Sequence, residues 1–412
     1  EPTNHVDIAG QECGDARGPG LDRLESDLGP YGLGAPIVVV ASELDAIFAA
    51  TDVREVWGTP GGTVHAVGND GSTFINTGSG WTDVTGATTQ SLWGLGGAGG
   101  EAWAVGINGA VVRYRAGAWA PVDLQLGATG TFRSVWGTAA SNVYAVGHRP
   151  GPNAAEQSVL LRNDGTGWST VLPAADSTEY ADVWGSGASD VYVVGHRLKS
   201  GGGSTGMIWH WNGGGWTSTA TPFDGPVRQL TAVWGSGSGD VWVLGRQQGG
   251  AGHQTVMLHS TDGGQTWNES TLGNAPDGEG HVLDVWGSGP SNIYAVGWRT
   301  DAVTGWPRSL VMRYNGTGWT ASTRGDTLRL SGVWGSGADN VYLVGWQERT
   351  GPYDERGIVR RTVNGGASYS ALAFSADADR STFSSAERAQ IIGRQALEQP
   401  GIAEHGAHAG LW

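Results

Sequence analysis

Residues 183–196 read Val-Trp-Gly-Ser-Gly-Ala-Ser-Asp-Val-Tyr-Val-Val-Gly-His, and near copies of this stretch recur along the chain. A Val-Trp-Gly or Leu-Trp-Gly tripeptide sets its tryptophan at Trp57, Trp93, Trp136, Trp184, Trp234, Trp286 and Trp334, at intervals of 36 to 52 residues. Each anchor leads through a small-residue turn into a second motif, such as VHAVG from Val64, VYAVG from Val143 or VWVLG from Val241. A third apolar segment then reaches a Gly-rich turn and a late aromatic: Trp81, Trp119, Trp168, Trp216, Trp267, Trp319 or Tyr369.

β-Branched and aromatic residues punctuated by Gly, Asn and Asp are strand and hairpin signals. No repeat sustains the three-and-four apolar spacing of a helix. Each unit therefore reads as four short strands, and seven such units describe an all-β fold, a seven-bladed β-propeller of four-stranded antiparallel blades over residues 53–374. The composition agrees: 72 glycines, 21 tryptophans and 15 % charged residues in 412, against about 25 % charged in an ordinary soluble domain. The expected role of most tryptophans is wedge packing between blades. The glycine after each anchor is expected to permit an unusual backbone angle. Asn142, Asp190, Asp240, Asn292 and Asn340 are placed to close the following turn.

Residues 1–52 lack the repeat, and Ile37 to Val40 reads as a strand able to close the ring from outside. Blade 7 has its own candidate for that place at Tyr369 to Phe374, so both closures stand open. The tail, 375–412, carries a capped helical run beginning at Ser384 and offers a site for a protein partner.

Charge limits the partners. A net charge of -15 and one lysine, Lys199, argue against nucleic acid or an anionic membrane as the main partner. No stretch approaches the roughly 18 apolar residues of a membrane span. The lone Cys13 excludes an internal disulfide and any multi-cysteine zinc site. No cofactor and no metal is expected, and His148 and His196, equivalent in adjacent blades, stand too far apart to share an ion.

Residues 260–267, Ser-Thr-Asp-Gly-Gly-Gln-Thr-Trp, resemble the Asp-box of the bacterial neuraminidase repeat family. Looser versions stand at Asn163 to Trp168, Asn212 to Trp216, Asn315 to Trp319 and Asn364 to Tyr369. The run from Ala104 to Tyr114 is similar to tectonin-type lectin repeats. The resemblance implies a propeller whose Asp-box turns lie away from the ligand face. The Arg-Ile-Pro motif that sialidases of that family carry is absent, so the likeness implies architecture rather than that activity. Repeat style and the missing initial Met lead to the expectation of a secreted or cell-envelope protein.

Function is expected in the connections between second and third strands, because a rigid scaffold presents its loops. These read as two or three residues in blades 1 and 2 and about ten in blades 3 to 7. The long ones open on His148-Arg149, His196-Arg197, Arg246-Gln247, Trp298-Arg299 and Trp346-Gln347, with Trp306 and Tyr353 further out. Rings and guanidinium groups at matching positions suit stacking on, and hydrogen bonding to, a polyhydroxylated or anionic ligand. The blander role for the same side chains is to cap the second strand and lie over the neighbouring blade. Glu179, Tyr180, Asp182, His281 and Asp284 precede anchors, where they either line the channel or supply acid/base groups. The leading expectation is carbohydrate or glycoconjugate binding on the face of blades 3 to 7. A glycoside hydrolase of Asp-box type and an extracellular protein-interaction scaffold are the alternatives.

Overall fold

In the computed structural model, strand pairing follows chain order in all seven sheets, and each sheet has four antiparallel strands. The blades span Val53–Asp83, Leu92–Pro121, Thr131–Pro173, Thr178–Ala220, Arg228–Glu269, Gly280–Thr323 and Leu328–Ala371. The structure describes residues 52–371, except 60–61, 79, 125–129, 151–155, 174–177, 200–202, 221–227, 250–251, 271–279, 324–326, 348–355 and 367–368. The extension with its Ile37 to Val40 strand, the C-terminal helix and Tyr353 lie outside the described residues. No helix among the described residues is long and apolar enough to cross a membrane.

The first strands pack side by side in a closed circle, with that of blade 7 against that of blade 1. Blade 7 takes Ser370–Ala371 as its own fourth strand, so among the described residues no strand is exchanged at the closure. Side chains hold that junction instead. Trp334, Tyr342, Val344 and Val359 of blade 7 share one core with Val53, Val56, Phe74 and Trp81 of blade 1, and Ser331 Oγ donates to Val53 O at 3.2 Å.

The anchors join blade to blade. A Cβ on Gly235 would lie 2.4 Å from Trp184 Cη2, and one on Gly287 or Gly335 would lie 2.5 Å from the same atom of Trp234 or Trp286. The tip of each of these indoles thus rests on the glycine after the next blade's anchor. None of these glycines has a positive φ, which corrects the expectation of an unusual backbone angle. The glycine is needed because a neighbour's ring occupies its Cβ position.

Blade 2 departs from the repeat. Trp57, Trp136, Trp184, Trp234, Trp286 and Trp334 each pair with the aromatic of the second motif. In blade 2 the residue that pairs with Trp103 is Gly96, not Trp93. A Cβ at Gly96 would stand 2.1 Å from Val135 O of blade 3, so the neighbouring backbone leaves no room for any side chain. Trp93 falls three residues early, on a β-bulge.

Turn closure follows expectation. Asn142, Asn292 and Asn340 donate to Thr138, Ser288 and Ser336, while Ser186 and Ser236 donate to Asp190 and Asp240. At the 260–267 turn, Thr266 N donates to Asp262 Oδ1 at 2.9 Å and Trp267 is buried beneath.

Candidate functional site

The glycine of the second motif does not end the second strand. His148 pairs with Ser158, His196 with Gly206, Arg246 with Thr255, Trp298 with Ser309 and Trp346 with Gly357. These residues sit in ladders rather than in ten-residue loops, Trp306 lies in the turn of blade 6, and blade 5 connects Gly249 to Gly252 almost directly. Alternation continues past the glycine because that residue only relieves a bulge. At Gly195 and Gly297 a Cβ would lie within 2 Å of the carbonyl oxygen of Glu179 or His281. A strand rebuilt in this way projects its next side chains in fixed directions.

One step beyond each glycine the register builds a ring of equivalent pairs around the channel mouth. The ladder pairs are Thr131 with His148, Glu179 with His196, Gln229 with Arg246, His281 with Trp298, and Arg329 with Trp346. In blades 1 and 2, Asn69 N donates to Asp52 O and Ile107 N to Ser91 O, which completes the circle. The bulges beside this ring carry Arg54, Trp93, Arg133, Ala181, Thr231, Leu283 and Ser331.

In blades 6, 7 and 1 the aromatic members are already in use. His281 stacks on Trp298 with centroids 4.2 Å apart, and Arg329 of blade 7 lies 3.9 Å over the same indole. Arg54 of blade 1 lies 4.5 Å over Trp346, which is buried. Arg54 in turn bonds Asp52 at 3.0 Å and Asn69 at 3.2 Å. Such contacts each contribute about 0.5–2 kcal/mol. Trp298 and Trp346 therefore pin neighbouring blades together, and among the described residues the exposed indole is Trp306, at 41 %.

In blades 3 to 5 the ring and its bulges set Arg133 and Arg246 against Glu179. Arg246 Nε donates to Gln229 Oε1 at 2.7 Å, which holds the guanidinium in place. Burial lowers its pKa, and it forms no ion pair with a carboxylate among the described residues. His196 is buried, with Nε2 3.8 Å from Glu179 Oε2. Burial depresses its pKa, Glu179 opposes this, and Arg133 and Arg246 reinforce it. The imidazole is accordingly neutral at pH 7, between two guanidinium groups. Arg133 is exposed; His148 and Arg149 are half-buried and Arg197 is exposed. Arg299 pairs across the ladder with Arg308.

Below the ring the first strands carry Glu55, Gly94, Ser134, Asp182, Ala232, Asp284 and Gly332 at equivalent positions. Asp182 accepts from its own Val183 N and from Val233 N of blade 5, both at 2.8 Å. Asp284 accepts likewise from Val285 N and from Val333 N of blade 7, both at 2.7 Å. These carboxylates strap neighbouring first strands together. Asp182 and Asp284 keep some accessible surface, and the protein packed around them disfavours the charged form. Burial pushes Asp182 up to about 6 and Asp284 up to about 7, with Asp182 adding to the latter; it also raises Glu55 well above the usual carboxylate range. Among the described residues no group of three His, Cys, Asp or Glu is placed to hold a metal ion.

On the opposite face, Asp190 takes a hydrogen bond from Ser186 and contacts His210 Nε2 at 2.6 Å; Asp240, Ser236 and His259 repeat this in blade 5. The hydroxyl donates to the carboxylate rather than to the imidazole, so this is not the arrangement in which a histidine activates a serine. In blades 3, 6 and 7 the equivalent pairs are Asn142 with Arg162, Asn292 with Arg313 and Asn340 with Arg361. The arrangement is a blade brace.

Sequence reading missed Arg54, Arg133 and Arg329. The signal was present as columns three and five residues before each true anchor, which become visible once blade 2 is aligned on Gly96.

No family model and no curated protein matches this chain. Solved structures do. A structure of YCF48 bound to a D1 peptide is 14 % identical with a TM-score of 0.52, covering 77 % of this chain and 94 % of that one. The WD40 β-propeller domain of Doa1 is 13 % identical with a TM-score of 0.50, covering 77 % and 96 %. U3-55K is 9 % identical with a TM-score of 0.51, covering 77 % and 99 %. At such identities the likeness shows the fold.

Proposed function

We propose that this propeller is a binding module that takes an acidic segment of another protein on the face where second and third strands turn. The observation that carries this reading is the charge of the ring. In a chain of net charge -15, the ring and its bulges hold Arg54, Arg133, Arg246 and Arg329 against only Asp52 and Glu179. A part-buried guanidinium without a carboxylate is costly unless a ligand supplies one. Arg246, already oriented by Gln229, is the first place to expect it. That a propeller of similar fold is seen holding a peptide supports the reading.

Peptide arrays spanning acidic, neutral and basic segments test it. Acidic peptides are expected to bind, more weakly as salt rises. Arg246→Gln is expected to weaken them about tenfold, the effect of one lost charged hydrogen bond, without a change in melting temperature. Equal binding of basic peptides, or indifference to Arg246→Gln, would overturn the proposal. A glycan ligand is the second reading, favoured by the exposed ring of Trp306; binding confined to a glycan array would establish it instead.

A further inference from the structure

Of the large apolar side chains exposed among the described residues, Leu198, Val303 and Trp306 lie at second-to-third-strand turns, and Val363 lies on the opposite face. Val303 and Trp306 share the turn of blade 6, between Thr300 and Pro307, where Val303 is 93 % exposed. This turn is built to hold them out. Asp301 Oδ1 accepts from Val303 N, Thr304 N and Thr304 Oγ1 at 2.8–3.1 Å. Asp301 N donates to Trp306 O and Gly305 N to Asp301 O, both at 2.9 Å. The Asp301 carboxyl also meets Arg308 at 3.4 Å. These bonds fix the backbone of the tip, and the Trp306 indole it carries keeps 41 % of its surface open to solvent. A rigid aromatic side chain loses little entropy on entering a pocket, so such residues dominate protein interfaces.

The base of the same hairpin carries a second sign of a partner. Arg299 and Arg308 stand directly opposite each other, and like charges in that relation destabilise a ladder. Arg299 Nε is buried and has no hydrogen-bond partner. Arg308 already meets Asp301, so a partner's carboxylate would act on Arg299, from the solvent side of its half-buried guanidinium.

We infer that the blade 6 hairpin is the anchor point for a protein partner, with Val303 and Trp306 entering an apolar pocket whose acidic border meets Arg299. Leu198, between exposed Arg197 and Lys199 on the blade 4 hairpin, repeats the chemistry of an apolar side chain flanked by cations. The inference rests on the proposed recognition of an acidic protein segment and names its hydrophobic anchor.

Selection of random peptides displayed on phage against the whole chain tests this. Enriched peptides are expected to combine aliphatic or aromatic residues with Asp or Glu. Their affinity is expected to fall at least about tenfold for Trp306→Ala, as for an interface hot spot, and also for Arg299→Gln, while Val363→Ser leaves it unchanged. Peptides that bind Trp306→Ala as well as the native chain, or no enrichment at all, would overturn the inference. Loss of binding in Arg246→Gln but not in Trp306→Ala would spare the acidic-segment reading and remove this anchor; loss in neither would remove both. Vesicles of phosphatidylcholine and phosphatidylserine form a parallel arm. Vesicle binding that needs Trp306, without peptide enrichment, would assign the tip to a lipid surface and reject a protein partner.

Discussion

Trp234→Ala is expected to lower stability by about 3–5 kcal/mol, the range for deleting a large buried aromatic, whereas Trp93→Ala costs less than about 2 kcal/mol. The two residues sit in the same tripeptide context, so sequence alone assigns them equal weight. Trp234 is buried in the core shared by blades 5 and 6, its Cη2 against Gly287, and Trp242 pairs with it across the ladder. Its loss opens a ring-sized void at a junction that no backbone pairing bridges. Trp93 occupies a bulge beside the channel and is only half-buried. Urea denaturation of the two variants makes the comparison. Similar midpoints would show that the anchor role does not follow the ladder register.

The second large effect is on pH dependence. Glu55, Asp182 and Asp284 have folded pKa values above those of an unfolded chain, so the native state holds more protons and rising pH withdraws stability through each folded pKa. His65 and His196 act oppositely. Burial holds His65 near 4 and lowers His196, so their contribution is present above the unfolded value near 6.5 and is lost as pH falls. Between pH 4 and 6.5 the two sets oppose each other. Of these groups, the ones that act from pH 6.5 to 8 are the channel carboxylates, through Asp284 at about 7 and Glu55 above its ordinary range. Stability is expected to fall there by on the order of 1–2 kcal/mol, given about 1.4 kcal/mol per pH unit for one proton. Asp284→Asn is expected to flatten this slope even if the straps to Val285 and Val333 weaken. Thermal melts at pH 6.5, 7.25 and 8 read it out; a melting temperature that rises across the window would refute the account.

These carboxylates also show how far the hairpin-face reading reached. From the sequence, Asp182 and Asp284 precede their anchors and either line the channel or supply acid/base groups; the structure sets both within first strands. Their bonds to Val233 and Val333 depend on the neighbouring blade, some 50 positions away in sequence. Trp346 illustrates the same limit. Its place after the glycine was legible, but its burial under Arg54 arises at the ring closure, where the two ends of the repeat array meet.

By itself the sequence determined the number of blades, the four strands in each and the order of their pairing, because turn residues and strand periodicity act over a few neighbouring positions. It also determined the turn closures at Asn142, Asp190 and their equivalents. Only the tertiary structure decided which tryptophan in blade 2 is an anchor, which rim aromatics are covered and which arginines encircle the channel mouth. Those outcomes turn on the separation between first strands of adjacent blades, 2.1 Å from a would-be Cβ at Gly96 to Val135 O, and on a bulge that shifts the register by one residue. Neither quantity is encoded within a single repeat; both result from closing seven of them into a circle.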